Sequence, residues 1–457
     1  MNRIMGRARI LLILVLVLAL GVSFFLGEYL ISGKSWVLFA GSPHIYNAGN
    51  IGCGTITDRD GILLLDLKDG RSYAENLTLR SAIVHWLGDR RGNVSAPSIA
   101  HYAPQIAGFD SVNGIYAYGG VGGTVKTTLS ARIQIAALEA MGDYTGTVAV
   151  YNYKTGELIC AVSTPTFDPD NPPDITADNA DAYEGLYLNR FTQSTYTPGS
   201  IFKIVTTAAA LEAIPDILEQ TFTCNGTVAY GVDKVTCEKT HGTLNLKEAF
   251  ARSCNCAFAQ IADQLGGNVL QRYAEQFGIM ESVSFDGITT ASGNLNAAGA
   301  ADVQVAWSAI GQHTDLINPC RFMTFLGSIA NDGVEVAPYF VSSISTGGSA
   351  AYRAKTQIGN RLMSTRTAKT LQEFLRNNVE NYYGNQTLNG LKVCAKSGTA
   401  EVGGSKKPNA MFTGFVADES LSLAFVVTVE DGGYGKTVCM PIIEQILTAC
   451  SQHLNLG

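Results

Sequence analysis

Apolar and polar residues follow two different patterns in the N-terminal half of the chain. Ile10 to Leu26 is a continuous run of apolar or small residues, with Ser23 as its only hydroxyl. Thr147–Tyr153 and Glu157–Ser163 are rich in β-branched residues and are joined by Lys154-Thr155-Gly156, which predicts a β-hairpin. The first run is long enough to cross a bilayer, whereas the hairpin belongs to a folded sheet.

The C-terminal half predicts helices first and strands afterwards. A helix-rich stretch runs from about Ser200 to Ala330, and Ile442–Cys450 is predicted as a closing helix. Three strands are predicted between them, at Val393–Glu401, Ala410–Ala417 and Leu421–Val429. The predicted order is a strand pair, then helices, then three strands and a helix. This order favours an α/β (α+β) domain, with helices flanking one mainly antiparallel sheet.

A length of 457 residues favours more than one domain. Gly54–Gly61 followed by Ile62–Leu65 is typical of strand, turn and strand, and the glycine-rich stretch Tyr116–Gly123 suggests a boundary. We therefore predict four segments. They are a cytoplasmic N-terminus (1–9), a transmembrane anchor (10–27), a small extracytoplasmic domain (28–126) and a larger domain (127–457).

Charge sets the expected location of these segments. Arg3, Arg7 and Arg9 precede the apolar run and Glu28 follows it, so the positive-inside rule predicts a cytoplasmic N-terminus and an extracytoplasmic main body. A cleaved signal peptide is the alternative, although the run is long for a signal and no clear small-x-small cleavage site follows it. The formal net charge of −7 and the absence of a basic stripe argue against a nucleic-acid partner.

The ten cysteines are scattered and form no CxxC pairs, which argues against a zinc site. Cys224 and Cys237 flank a predicted hairpin at Thr227–Val235. They are either a disulfide, if the compartment is oxidising, or two small buried thiols. Cys254 and Cys394 lie close to the motifs described next and are interpreted as packing residues.

The first candidate chemical motif is Ser200-Ile201-Phe202-Lys203, preceded by Pro198-Gly199. A spacing of three predicts that Ser200 and Lys203 share one face of a helix running to about Ala213. A neutral lysine can accept the serine proton if burial or a neighbouring cation lowers its pKa. The helix N-terminus would favour the negative charge that develops during attack.

The second candidate motif is Ser253-Cys254-Asn255, in a short linker between two predicted helices. Asn245 with Glu248 resembles a capping box at the start of the first helix. Ser253 can relay a proton towards a leaving or attacking amine. Asn255 can hold a substrate amide through its amide donors and its carbonyl acceptor.

The third candidate motif, Lys396-Ser397-Gly398-Thr399, ends a predicted strand. Gly398 allows a substrate backbone to approach closely. Lys396 supplies positive charge, and the hydroxyls of Ser397 and Thr399 can bind a substrate carboxylate. The backbone N–H groups of Thr399 and Ser200 are the predicted oxyanion hole.

Each motif is weak alone, because serine commonly caps helices and surface lysines are commonly solvated. Together, their order and spacing resemble the S-x-x-K, S-x-N and K-[ST]-G set of penicillin-binding proteins and class A β-lactamases. Further similar strings lie in nearly the whole chain: Thr147–Phe167, Asn189-Arg190, His241-Gly242, Ile310-Gly311-Gln312, Ala330–Gly333 and Phe412–Phe415. The chain is identified as a class B penicillin-binding protein, most similar to the PbpA-type branch.

This resemblance implies a membrane-anchored D,D-transpeptidase that cross-links peptidoglycan stem peptides through an acyl-enzyme on Ser200. It implies acylation by β-lactams, no metal or organic cofactor, and a membrane glycan polymerase of the SEDS family as partner. A D,D-carboxypeptidase or β-lactamase would use the same residues with water as acceptor. A non-catalytic wall-synthesis scaffold is a further alternative.

Overall fold

The computed structural model describes residues 2–36, 46–47, 50–110, 112, 114–116, 122–384, 390–404 and 406–454. Most of the glycine-rich stretch predicted as a domain boundary, residues 117–121, lies outside these ranges.

Residues 2–213 begin with one long helix, continue through short strands and helices, and reach a long hairpin before the next helices. The elements are α1 (Asn2–Trp36), β1 (Tyr46–Asn47), β2 (Asn50–Ile51), β3 (Thr55–Thr57), β4 (Leu63–Asp66), β5 (Ser72–Tyr73), α2 (Leu77–Leu87), α3 (Pro97–His101), α4 (Ala103–Ala107), β6 (Phe109–Asp110), β7 (Ile115–Tyr116), β8 (Thr124–Thr127), α5 (Ala131–Met141), β9 (Gly146–Asn152), β10 (Leu158–Thr164), α6 (Arg190–Gln193) and α7 (Lys203–Ala213).

Residues 221–453 contain a helical region with small ladders, and then three long strands and a final helix. The elements are β11 (Thr221–Cys224), β12 (Thr227–Tyr230), β13 (Asp233–Thr236), β14 (Gly242–Asn245), α8 (Leu246–Ala251), α9 (Asn255–Leu265), α10 (Gly267–Gln276), β15 (Ser284–Phe285), β16 (Ile288–Thr289), α11 (Asp302–Ala309), α12 (Pro319–Ala330), β17 (Val334–Val336), β18 (Val341–Thr346), β19 (Ser349–Arg353), β20 (Ile358–Arg361), α13 (Thr365–Asn378), β21 (Val393–Ala400), β22 (Asn409–Val416), β23 (Leu423–Val429) and α14 (Gly435–His453).

Helix α1 contains the predicted apolar run and exposes its apolar side chains along that run. Within the described ranges, its segment Ile4–Gly33 is the one helix long and apolar enough to cross a membrane. A helix that is apolar all round must be buried in protein or in lipid, and this one is not buried in protein. The feature indicates a single-pass membrane anchor.

The central sheet has the strand order β10-β9-β23-β22-β21, with every neighbouring pair antiparallel. Helices α5 and α14 pack on one face, and α12 packs against β22 and β23. This confirms the predicted mixed α/β fold, including the hairpin and the three late strands. Helix α14 begins before the predicted Ile442 and includes Pro441. Its buried face between Cys439 and Cys450 packs in the core, and this packing offsets the backbone hydrogen bond that Pro441 cannot donate.

A second sheet has the order β19-β18-β8-β3-β4-β5. Strands β3 and β8 pair in parallel, with Thr55 opposite Thr124, and β18 pairs antiparallel with β8, with Val341 opposite Thr127. This sheet therefore joins strands from both sides of the boundary placed at 126/127. The four-segment division stays a prediction.

Candidate active site

Ser200 lies in a single 3-10 turn, Gly199–Phe202, which leads directly into α7. The α-helix itself begins at Lys203 rather than at the predicted Ile201. Gly199 has a φ of 55° and donates its N–H to the carbonyl of Gly311 at 2.8 Å. A Cβ on Gly199 would lie 2.4 Å from the carbonyl oxygen of Thr399, so only glycine lets the serine turn sit against β21.

Lys203 lies one residue beyond this turn and is fully buried. Its Nζ is 3.0 Å from Ser200 Oγ, 3.0 Å from Ser253 Oγ and 2.7 Å from Asn255 Oδ1. It also lies 3.0 Å from the carbonyl oxygen of Ser253. One amine therefore contacts both the first and the second predicted motif.

The second motif occupies the predicted linker between α8 and α9. Both hydrogen bonds of the predicted Asn245–Glu248 capping box are present at the start of α8. Ser253 adopts a φ of 53°, a left-handed conformation that is uncommon for serine and is concentrated at functional sites. Cys254 caps α9, which begins at Asn255, and the Asn255 side-chain amide donates to the carbonyl of Thr236 at 2.8 Å.

The third motif lies on β21, where Ser397 is opposite Phe412 of β22. The Lys396 amine is fully buried, 3.1 Å from Ser253 Oγ and 3.0 Å from the Ser397 carbonyl oxygen. A Cβ on Gly398 would lie 2.8 Å from Ile201, so β21 packs directly on the serine turn.

Tyr383 is a site residue that the sequence did not reveal. Its buried hydroxyl accepts the backbone N–H of Ser397 at 3.1 Å and lies 3.1 Å from Ser397 Oγ. Burial raises the pKa of Tyr383, so the phenol stays neutral. It comes from a single π-helical turn, Val379–Tyr383, at the end of α13, where no short motif marks it.

Burial governs the electrostatics of the two lysines. It lowers the pKa of Lys203 to about 8, partly offset by the Cys237 and Cys254 thiols. Burial, and then repulsion from Lys203, lowers the pKa of Lys396 well below its usual value. Two amines that share the Ser253 hydroxyl disfavour each other's charge, and such a site holds a neutral amine that can act as a base.

The structure thus gathers Ser200, Lys203, Ser253, Asn255 and Lys396 into one hydrogen-bonded group. Ser397, Gly398 and Thr399 lie beside it on β21. Positive charge on Lys396 and an oxyanion hole formed by the N–H groups of Ser200 and Thr399 stay predictions.

A second cluster includes Cys254, the middle residue of the second motif. Cys224, Cys237, His241 and Cys254 place their potential metal-ligating atoms within 4.8 Å of one another. Cys224 and Cys237 are free thiols rather than a disulfide. These four residues form no short zinc motif in the sequence, because the fold assembles the group from separate elements.

Comparison with known proteins gives a family for this architecture. Residues 146–448 match the penicillin binding protein transpeptidase domain. The peptidoglycan D,D-transpeptidase PbpA of Mycolicibacterium smegmatis is 31% identical over 340 residues, which cover 68% of this chain and 68% of that protein. The PbpA of Mycobacterium tuberculosis is 28% identical over 362 residues, which cover 72% of this chain and 73% of that protein.

Solved structures agree with the sequence relatives. The crystal structure of penicillin-binding protein A from M. tuberculosis is similar with a TM-score of 0.75 and 26% identity, covering 88% of this chain and 100% of that one. The penicillin G acyl-enzyme complex of the same protein also has a TM-score of 0.75, at 25% identity, with coverage of 88% and 100%.

Proposed function

The chain belongs to the penicillin-binding protein transpeptidase family, and from this membership we infer that it is a peptidoglycan D,D-transpeptidase with Ser200 as its nucleophile. The observation that supports Ser200 most directly is the position of its hydroxyl, 3.0 Å from a buried amine whose pKa is lowered. A serine is a weak nucleophile unless a base removes its proton, and neutral Lys203 is placed to do so.

In the acylation step, Ser200 Oγ attacks the carbonyl carbon of the penultimate D-alanine of the donor stem peptide. The serine proton moves to Lys203 Nζ as the C–O bond forms. The oxygen of the tetrahedral intermediate becomes negative and is held by the backbone N–H groups of Ser200 and Thr399. Fixed donors aimed at this oxygen stabilise the transition state more than the substrate.

The C–N bond then breaks and terminal D-alanine leaves with a proton. Ser253 is suited to deliver it, because its hydroxyl lies 3.0 Å from Lys203 Nζ and 3.1 Å from Lys396 Nζ. An amine of a neighbouring stem peptide attacks the resulting ester and gives up a proton by the same route in reverse. The ester breaks, the cross-link forms and Ser200 regains its proton.

The remaining predicted residues are placed to bind the donor stem peptide. Asn255 uses its oxygen on Lys203 and one amide hydrogen on Thr236, which leaves its other amide hydrogen for the substrate backbone. The substrate carboxylate is bound by the hydroxyls of Ser397 and Thr399. Its negative charge favours protonated Lys396, offsetting the burial that otherwise lowers the pKa of that lysine.

A β-lactamase that releases its product quickly needs a well-placed carboxylate to activate water. Among the side chains of the described residues, no carboxylate hydrogen-bonds to Ser200, Lys203, Ser253 or Lys396. A serine ester without a carboxylate placed to activate water is expected to be long-lived, as a transpeptidase that waits for an amine requires. This favours transpeptidation over β-lactamase activity, and β-lactams are expected to acylate Ser200 and remain bound.

Mass spectrometry of the intact protein after penicillin treatment tests the nucleophile. We expect one adduct per chain, mapped to the peptide containing Ser200, with loss of the adduct in Ser200→Ala. Ser194→Ala is the control, since that serine is on the same stretch of chain but outside the hydrogen-bonded group. Equal labelling of both variants would refute the assignment, and rapid turnover of a chromogenic cephalosporin would favour a β-lactamase.

We also propose that the N-terminus is cytoplasmic and the catalytic domain is extracytoplasmic, because three arginines precede the apolar run. A membrane-impermeant fluorescent penicillin should then label intact cells. A SEDS-family glycan polymerase is the proposed membrane partner, as the resemblance to class B proteins implies. Purification in mild detergent that never recovers such a polymerase would contradict this partner.

A further inference from the structure

Four potential metal ligands converge from four separate positions around the second motif. Cys224 ends β11, Cys237 follows β13, His241 precedes β14, and Cys254 caps α9. Each therefore sits at the end of a regular element, where the backbone is fixed by a ladder or a helix. Cys224 and Cys254 are buried, and the other two are partly buried.

Three of the distances between these atoms match those expected around a small tetrahedral ion. Zinc lies about 2.3 Å from sulfur and about 2.0–2.1 Å from nitrogen, so tetrahedral angles require roughly 3.8 Å between two sulfurs and roughly 3.6 Å between sulfur and nitrogen. The Cys237 and Cys254 sulfurs are 3.9 Å apart. His241 Nδ1 is 3.4 Å from Cys237 Sγ and 3.5 Å from Cys224 Sγ.

A backbone contact orients one of the four potential ligands. The N–H of Ala257 donates to Cys254 Sγ at 3.4 Å, at the N-terminus of α9. Hydrogen bonds to ligand sulfurs of this kind orient thiolates around a metal.

We propose that Cys224, Cys237, His241 and Cys254 bind one zinc ion in a closed, four-coordinate site. Three thiolates and an imidazole form a soft ligand set that suits zinc, and four protein ligands leave no open position for a substrate. Binding releases the three thiol protons and leaves the site with one net negative charge. The ion is structural rather than catalytic.

The proposed ion would lie next to the second motif and could therefore fix its position. Cys254 lies between Ser253 and Asn255, and both of these neighbours contact the Lys203 amine. The same ion would tie this linker to the β11–β14 ladder and to the β12–β13 hairpin, which also receives the Asn255 amide through Thr236. Zinc would therefore hold the second motif in place, a role that rests on the proposed transpeptidase function.

A disulfide is the competing chemistry for this cluster. Cys237 and Cys254 are close enough to be oxidised to one, which would release two electrons and two protons to an oxidant and remove two ligands. The two alternatives predict different thiol counts and different metal contents, so one preparation of the full chain in detergent distinguishes them.

The experiment measures zinc per chain by plasma mass spectrometry, in protein purified without chelators. We expect about one ion per chain in the wild type, and loss of most of it in Cys224→Ser, Cys237→Ser or His241→Ala. Cys320→Ala, which removes a buried thiol on α12, and Cys256→Ala, which removes one beside the cluster, should both retain the metal. Cobalt substitution should give the strong visible absorption of a tetrahedral thiolate site.

A wild-type protein that contains no zinc and cannot be loaded with it refutes the site, and so does a Cys237–Cys254 disulfide in the purified chain. Retention of zinc by His241→Ala with loss by Cys256→Ala overturns the ligand set. The metal content is independent of penicillin labelling, so failure of the zinc proposal and failure of the proposed function are separable. If both hold, zinc-depleted protein should acylate at least about tenfold more slowly and recover when zinc is restored.

Discussion

The protonation state of Lys203 should control how fast penicillin acylates the protein. With a pKa of about 8, roughly one amine in ten is neutral at pH 7. An ordinary lysine, with a pKa of about 10.4, would be neutral in only about one molecule in 2,500 at the same pH. Burial therefore raises the neutral fraction of Lys203 at pH 7 by about two hundredfold.

The direction of the pH dependence is set by the protonation state of Lys203 that reacts. Because only the neutral amine accepts the Ser200 proton, the second-order acylation rate constant should rise about tenfold per pH unit below the pKa of Lys203, and level off above about pH 8. The assay is stopped-flow acylation by a fluorescent penicillin between about pH 6 and about pH 10. Intact mass spectrometry supplies the endpoint.

Lys203→Arg isolates the same effect, since a guanidinium stays protonated throughout this range. We expect acylation to fall by at least about a hundredfold, the usual contribution of a positioned base. Lys154→Arg, a change at an exposed lysine on the β9–β10 turn, is the matched control and should be unaffected. A pH profile that is flat, or that turns only near the ordinary lysine pKa, would contradict Lys203 as the base.

Two further predictions concern the shape of the site. Tyr383→Phe removes the acceptor of the Ser397 N–H and should slow acylation about fivefold, equivalent to about 1 kcal/mol, with little change in melting temperature; an unchanged rate would exclude a positioning role. Gly311→Ala would place a Cβ 2.1 Å from the carbonyl oxygen of Gly199, against the serine turn. We expect the unfolding free energy, measured by urea denaturation, to fall by about 1–3 kcal/mol. The acylation rate, measured by penicillin labelling, should fall as well. Gly231→Ala is its control, with a similar positive φ in open space, and equal losses in the two variants would contradict the steric argument.

The parts of the site that could be predicted from the sequence are those written in short strings. Ser200 and Lys203 are three residues apart, and both a 3-10 turn and an α-helical turn bring residues at this spacing together. The capping box at Asn245 could also be predicted from the sequence, because its hydrogen bonds join residues that are three apart. Local geometry sufficed, even though the α-helix starts later than expected.

The parts that could not be predicted depend on long-range register. Tyr383 reaches Ser397 only because α13 packs against β21, and nothing in its own segment marks it. The four ligands of the proposed zinc site are 13, 4 and 13 residues apart, from Cys224 through Cys237 and His241 to Cys254. These intervals fit no familiar zinc spacing until the two small ladders fold.

The six-stranded sheet decides where this chain can be shortened for crystallisation. A fragment cut at Gly146, where the family match begins, would lose β8 and leave the long edge of β18 with unpaired N–H and C=O groups. Such edges pair with other molecules, so this fragment should aggregate. A fragment that starts at Asn50 discards α1 but keeps β3, β4, β5 and β8, and should stay soluble.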